Sequence, residues 1–171
     1  MSRILWKHCR TPEQERVNLL VQGQKIISVG SDEPDADEIY DLSGKIVLPG
    51  MIDPHVHMSD LGQKDKDDWG SGSRAALAGG VTTVFDMPNT VPATLDQEAL
   101  DLKRKCAGNS EIHHKFYLGA SEGNLNSLKA ILRNNPEDVV GIKVFLAASS
   151  SREIIKNREK MMAVCRLARE Y

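Results

Sequence analysis

Residues 48–57 read Leu48-Pro49-Gly50-Met51-Ile52-Asp53-Pro54-His55-Val56-His57, and this stretch divides two styles of sequence. Before it, short apolar runs predict strands over 4–8, 16–22, 25–30, 39–41 and 46–48, with a hairpin turn at Gly23-Gln24. The acidic run 32–38 contains Pro34 and has no periodicity, which predicts a solvated loop. After Gly50, strands alternate with helical patterns, the signature of βαβ units on a parallel sheet. Strand centres near Ile52, Thr83, Phe116 and Val144 lie 31, 33 and 28 residues apart. That matches the ~30 residues taken up by one strand and its crossover helix. The expected fold class is therefore α/β, with a small β unit over residues 1–50 and four βα units over 51–171.

Four helices are expected between and after these strands. The first covers 68–78 and stops at Gly79-Gly80. The second opens with Thr94 and Gln97 as a capping box and turns Leu95, Ala99, Leu102 and Cys106 inward. The third carries Leu125, Leu128 and Leu132 and ends at Asn134-Asn135-Pro136. The fourth starts near Arg152 and places Ile154, Met161, Cys165 and Ala168 on one face.

Composition narrows the function classes. Among 171 residues, 22 are basic and 24 acidic, a net charge of -2 that leaves no electrostatic footprint for nucleic acid or an anionic membrane. The longest apolar stretch, 46–52, is broken by Pro49-Gly50 and falls far short of the ~20 residues that span a bilayer. Arg3, Lys7, His8 and Arg10 break the apolar run at the start, so no signal peptide is expected. Cys9, Cys106 and Cys165 are widely spaced and form no CxxC, which suits a reducing compartment and an expected cytoplasmic location.

Residues i and i+2 of a strand share a face, so His55 and His57 should project together at a strand's carboxyl end. Two such imidazoles are a ready pair of nitrogen ligands for zinc or a similar divalent ion. The flanking Ile46-Val47-Leu48 and Ile52 predict that this strand is buried, in which case both histidines need partners. Lys143 sits in the apolar run Gly141-Ile142-Lys143-Val144-Phe145-Leu146, on the face opposite Ile142 and Val144. A lysine snorkelling to the rim explains such a placement, and so does an amine kept available for chemistry. His113 and His114 point to opposite faces and read as packing or surface; Asp86 reads as a structural or orienting acceptor. The loop 60–68, with four aspartates and two lysines, follows the first strand of the second unit over the site.

Residues 48–57, followed by Arg74-Ala75-Ala76 and by Ala78-Gly79-Gly80-Val81-Thr82-Thr83-Val84-Phe85-Asp86-Met87-Pro88-Asn89-Thr90, resemble the cyclic amidohydrolases. Within that superfamily the resemblance is to dihydroorotases, with hydantoinases and allantoinases as relatives, and it extends over the whole chain. It implies the amino-terminal half of a metal-dependent (β/α)8 TIM barrel, residues 51–171, preceded by the amino-terminal part of a small β-sandwich, residues 1–50. It implies two divalent metal ions, Zn2+ by family resemblance, with His55 and His57 as ligands of one and Lys143, carboxylated by CO2, bridging both. Asn89 matches an asparagine that holds the substrate. The implied reaction is hydrolysis of a cyclic amide, with interconversion of dihydroorotate and carbamoyl aspartate as the dihydroorotase case.

Two departures accompany the resemblance. Dihydroorotases carry HxHxR, whose arginine clamps the substrate carboxylate; the corresponding residue is Ser59, so bidentate recognition is lost while Ser59 keeps a substrate-facing place. That keeps hydantoinase-like and allantoinase-like substrates open. The family's remaining histidine ligands and its aspartate base are expected beyond Tyr171, so the 171-residue chain is expected to be inactive alone and to contain no catalytic general base. The implied partners are a small cyclic amide and, in the complete enzyme, further copies of itself. The competing reading is a non-catalytic scaffold of the same fold; retention of His55, His57 and Lys143 speaks against it.

Overall fold

The computed structural model describes residues 1–134, 136–147 and 155–171. The chain divides into two compact units, Met1–Pro49 and Gly50–Tyr171.

The first unit is a sheet of β1 (Arg3–Arg10), β2 (Arg16–Gln22), β3 (Lys25–Gly30) and β4 (Glu38–Asp41) in the order β3-β2-β1-β4. β1 and β2 pair antiparallel, as do β2 and β3, through the expected turn at Gly23, whose φ of 61° suits glycine. β4 joins β1 in parallel, after the acidic loop. The run 46–48 does not form the expected strand and contributes a single bridge, Arg10 to Ile46. Pro49 follows it directly, and the residue chain before a proline-glycine turn has no length to extend a ladder. Leu5, Cys9, Leu19 and Leu20 form the buried centre of this unit.

The second unit has β5 (Met51–Val56), β6 (Val81–Asp86), β7 (His113–Gly119) and β8 (Val139–Lys143), all parallel and in the order β5-β6-β7-β8. Sequential strands are neighbours throughout, as in one half of a barrel. Between and after them run α1 (Trp69–Ala78), α2 (Gln97–Ala107), α3 (Leu125–Arg133) and α4 (Arg158–Glu170). Val144, the expected centre of the last strand, lies one residue past the end of β8.

The core lies between the helices and one sheet face, where Val84, Phe116 and Leu118 meet Trp69, Leu100, Leu128, Ile131, Val164 and Leu167. Trp69 stands edge-on to Phe116, with ring centroids 6.1 Å apart. α1 starts as expected: Asp68 accepts the Ser71 N–H at 2.7 Å, and the Ser71 hydroxyl accepts the Asp68 N–H.

Four expectations about this unit are corrected. The cap of α2 is Asp96, which accepts the Ala99 N–H at 2.9 Å, whereas Thr94 is fully buried in the preceding loop. The inward face of α2 is accordingly Ala99, Leu100, Lys103 and Ala107, and Leu102 is exposed. In α4 the buried residues are Val164 and Leu167; Met161 packs at the edge of the core, and Cys165 and Ala168 face solvent. The expected start near Arg152 and its Ile154 lie outside the described residues, as does Asn135 after α3. Finally β5 is not buried: Met51 and Ile52 are 52% and 60% exposed. β5 is an edge strand, paired with β6 alone, and its barrel-side face carries no packed layer among the described residues.

β8 is fixed from its amino end by a two-pronged ion pair. Arg104 of α2 donates through Nε and Nη2 to the Asp138 carboxylate, both at 2.7 Å, while the Asp138 carbonyl accepts the Phe116 N–H at 2.8 Å. The guanidinium holds the Asp138 carboxyl below the usual carboxylate range. A depressed carboxylate stabilises the fold above its unfolded pKa of about 4 and loses that contribution as pH falls through its lower folded value. Asp138→Asn is therefore expected to lower stability by about 0.5–1 kcal/mol at neutral pH. The difference from the unsubstituted chain should shrink towards zero in unfolding curves recorded below pH 4.

Candidate metal and substrate site

The parallel pairing of β5 with β6 directs both strands to the same end of the sheet, where barrel sites are built. At that end His55, His57, Ser59, Gln63, Lys66, Asn89, Lys143 and Phe145 line one open cleft of about 450 Å³. All five residues singled out in the sequence are thus brought together from three chain segments: two from β5 and its extension, one each from the loops after β5 and β6, and one from the end of β8.

The two histidine rings lie 5.3 Å apart between centroids and are tilted by 53°. Both are exposed in the cleft, which corrects the expectation of buried histidines in search of partners. Their placement at a wet cleft follows from the edge position of β5, and it leaves them accessible to an ion from solvent. His57 Nδ1 lies 2.7 Å from Asn89 Oδ1. An amide oxygen has no proton to give, so His57 donates from Nδ1, and the neutral ring then presents the bare Nε2 lone pair elsewhere. Asn89 therefore touches a histidine as well as lining the cleft. Lys143 is half-buried, with Nζ 5.5 Å from the centroid of the Phe145 ring, a cation–π arrangement.

The donor set fits a divalent ion in part. His55 and His57 supply borderline nitrogen ligands on one face. Among the described residues no cluster of three or more His, Cys, Asp or Glu side chains is placed to hold a metal. Of the other lining residues, Ser59, Gln63 and Asn89 carry neutral oxygens, while Lys143 as an ammonium has no lone pair and becomes an oxygen donor only as a carbamate.

Behind the cleft the structure reveals a pair that the sequence reading did not find. Asp86 at the end of β6 and Lys103 of α2 are 0% and 1% exposed, with Lys103 Nζ 2.7 Å from Asp86 Oδ2. Burial pushes the Asp86 carboxyl up and the Lys103 amine down, each opposed by the attraction of the other. The available signal was the i, i+4 spacing of Ala99, Lys103 and Ala107, hidden by phasing the helix on Leu102. Gln63 and Lys66 were also missed as lining residues, although their loop was placed over the site; Lys66 Nζ donates to Gln63 Oε1 at 2.7 Å. His114 packs on Trp69 and Phe116, at 5.1 and 5.5 Å between ring centroids, and has the ordinary packing role expected of it.

The family model described as Dihydro-orotase-like matches residues 44–114. A dihydroorotase of Methanosphaera stadtmanae is 32% identical over 158 residues, covering 90% of this chain and 36% of that protein. An allantoinase of Escherichia coli is 38% identical over 144 residues, covering 83% of this chain and 31% of that protein. Among solved structures, the L-hydantoinase (dihydropyrimidinase) from Arthrobacter aurescens superposes with a TM-score of 0.81 at 28% identity, over 96% of this chain and 38% of that one. The chain thus spans about a third of the length of the relatives it matches. Motif order, parallel half-barrel and these likenesses agree, and the chain belongs to the cyclic amidohydrolase superfamily, of which it represents the amino-terminal part.

Proposed function

We propose that the chain is the metal-binding and substrate-holding portion of a metal-dependent hydrolase of cyclic amide C–N bonds. The observation that carries this reading is the convergence of His55, His57, Asn89 and Lys143 on one cleft at the carboxyl end of a parallel sheet. In this reading residues 1–50 form the amino-terminal part of a small β-sandwich and residues 51–171 the first four βα units of the barrel. His55 and His57 would hold a divalent ion, zinc by ligand type, and Lys143 would add an oxygen ligand as a carbamate, the ligand set of a two-ion site being completed by other residues. A divalent ion held there would supply Lewis-acid polarisation of a ring amide carbonyl and activation of water.

The chain's own residues supply binding and orientation. Asn89 fixes the His57 ring through its Nδ1–H and lines the space where a substrate would lie. Lys66 adds a positive charge to the cleft, and among the described residues no aspartate or glutamate lines it, which suits a substrate with carbonyl oxygens or a negative charge. Dihydroorotate is the substrate favoured by the Met87-Pro88-Asn89-Thr90 motif and the dihydroorotase relative. An allantoinase or hydantoinase specificity is the second reading, favoured by Ser59 at the position of the clamping arginine and by the allantoinase relative. The location proposed for the enzyme is the cytoplasm, and no helix among the described residues is long and apolar enough to cross a membrane.

Three measurements test this. The purified chain should bind Zn2+ in a titration against a chromophoric chelator, and His55→Ala or His57→Ala should weaken that binding by roughly 10-fold or more; unchanged affinity in both variants would sink the assignment. With 13C-bicarbonate and Zn2+ present, a carbamate resonance should appear and be lost in Lys143→Met. The isolated chain should show no turnover of dihydroorotate, allantoin or hydantoin when followed by chromatography of the ring-opened products, since among the described residues no general base besides the proposed metal ligands lines its cleft.

A further inference from the structure

A buried ion pair is a poor way to stabilise a fold, because desolvating two charges cancels most of their attraction, and apolar replacements are often neutral or better. The Asp86–Lys103 pair is fully buried, so its position calls for another account. Its hydrogen bonds end on backbone at two particular places. Asp86 Oδ1 accepts the Met58 N–H at 2.8 Å, and Lys103 Nζ donates to the Met87 carbonyl at 2.5 Å. Met58 directly follows His57, and Met87 lies two residues before Asn89. The two tethered segments then meet across the His57–Asn89 contact of 2.7 Å. The Met87 N–H is also bonded to Val56 O, so the end of β5 and the start of the Asn89 loop are joined at successive points. Apolar side chains could fill the same volume but would leave the Met58 N–H and Met87 carbonyl without these partners.

We infer that Asp86 and Lys103 act as a positioning pair: one buried link that holds His57 and Asn89 in mutual register, so that His57 offers Nε2 to a metal ion and Asn89 faces the cleft. This rests on the metal reading proposed above. Neither residue lines the cleft. The pair acts through the backbone on the two that do, as outer partners of metal ligands do elsewhere.

The test compares two doubly substituted full chains, D86L/K103M and D86N/K103M. Both remove the buried charges; the second keeps an oxygen acceptor for the Met58 N–H. Three readouts are taken: thermal unfolding, Zn2+ affinity against a chromophoric chelator, and the His57 tautomer from 15N-resolved imidazole spectra. D86L/K103M is expected to bind Zn2+ roughly 10–100-fold more weakly and to lose the single Nδ1–H tautomer, with D86N/K103M recovering much of both at a similar unfolding temperature. Two variants that unfold alike and bind Zn2+ alike, each with the original tautomer, would overturn the inference and leave the pair a packing feature. Should either variant not fold, the unsubstituted chain decides: the Met58 amide must exchange with solvent as slowly as the amides of β6, and exchange at loop rates overturns the pairing. If the unsubstituted chain binds no Zn2+, the metal reading fails, while the tautomer and the Met58 exchange still decide whether the pair positions His57.

Discussion

Everything at the cleft depends on the parallel registry of β5 on β6. Asp53 lies opposite Val84 and Val56 opposite Asp86, so both strands end at one level and their following loops leave on the same side. Antiparallel pairing would send Asn89 to the far end of β5. Parallel pairing requires a long crossover, here α1, and the sequence provides it with a reciprocal cap at Asp68–Ser71 and a stop at Gly79-Gly80. Gly50 is part of the same constraint. A Cβ there would come within 2.2 Å of the Thr82 hydroxyl, so only glycine lets the chain enter β5 alongside the start of β6. Gly119 does the corresponding service at the end of β7, where a Cβ would meet Leu95 at 2.9 Å.

The half-barrel was legible in the sequence because its signals are local and repeated. Spacing of apolar runs located β5, β6 and β7, and the motif residues His55, His57, Asn89 and Lys143 needed only the rule that barrel sites form at strand carboxyl ends to be placed together. What was not legible depended on tertiary context. The phase of α2 turns on whether Leu102 or Lys103 faces the sheet, and hydrophobicity alone chooses Leu102. The structure chooses Lys103 because Asp86 lies at the end of β6 to receive it, 17 residues away in sequence but in direct contact. Likewise, Thr94 resembles a cap by spacing, yet the loop carries it inward and Asp96, two residues later, takes the role.

The exposure of β5 has the same origin. Apolar residues such as Met51 and Ile52 read as buried because a central barrel strand would bury them, whereas here they are 52% and 60% exposed. The inward face of the sheet also presents Phe85 and Tyr117, edge-to-face with centroids 6.4 Å apart. Side chains of this kind on a parallel sheet, a sheet type almost always covered on both faces, mark the inner wall of a barrel rather than a solvent-facing surface. The parallel edge at β5 and the apolar inner wall are therefore consistent with one another, and with the likeness to relatives of about three times this length.

The lining of the cleft also separates the parts of the chemistry. A hydrolase of cyclic amides must hold the ring, polarise its carbonyl, remove a proton from water and return one to the leaving nitrogen. If His55, His57 and Lys143 are committed to metal ions, their lone pairs are engaged and they cannot also exchange protons at the reaction centre. Of the remaining lining residues, Ser59, Gln63 and Asn89 are neutral hydrogen-bonding groups, Phe145 is apolar, and Lys66 is a cation bonded to Gln63. Holding and polarising can be built from these side chains; a base to deprotonate water is not among them. For the hydrolase proposed above, proton transfer would thus have to come from groups other than the described residues that line this cleft.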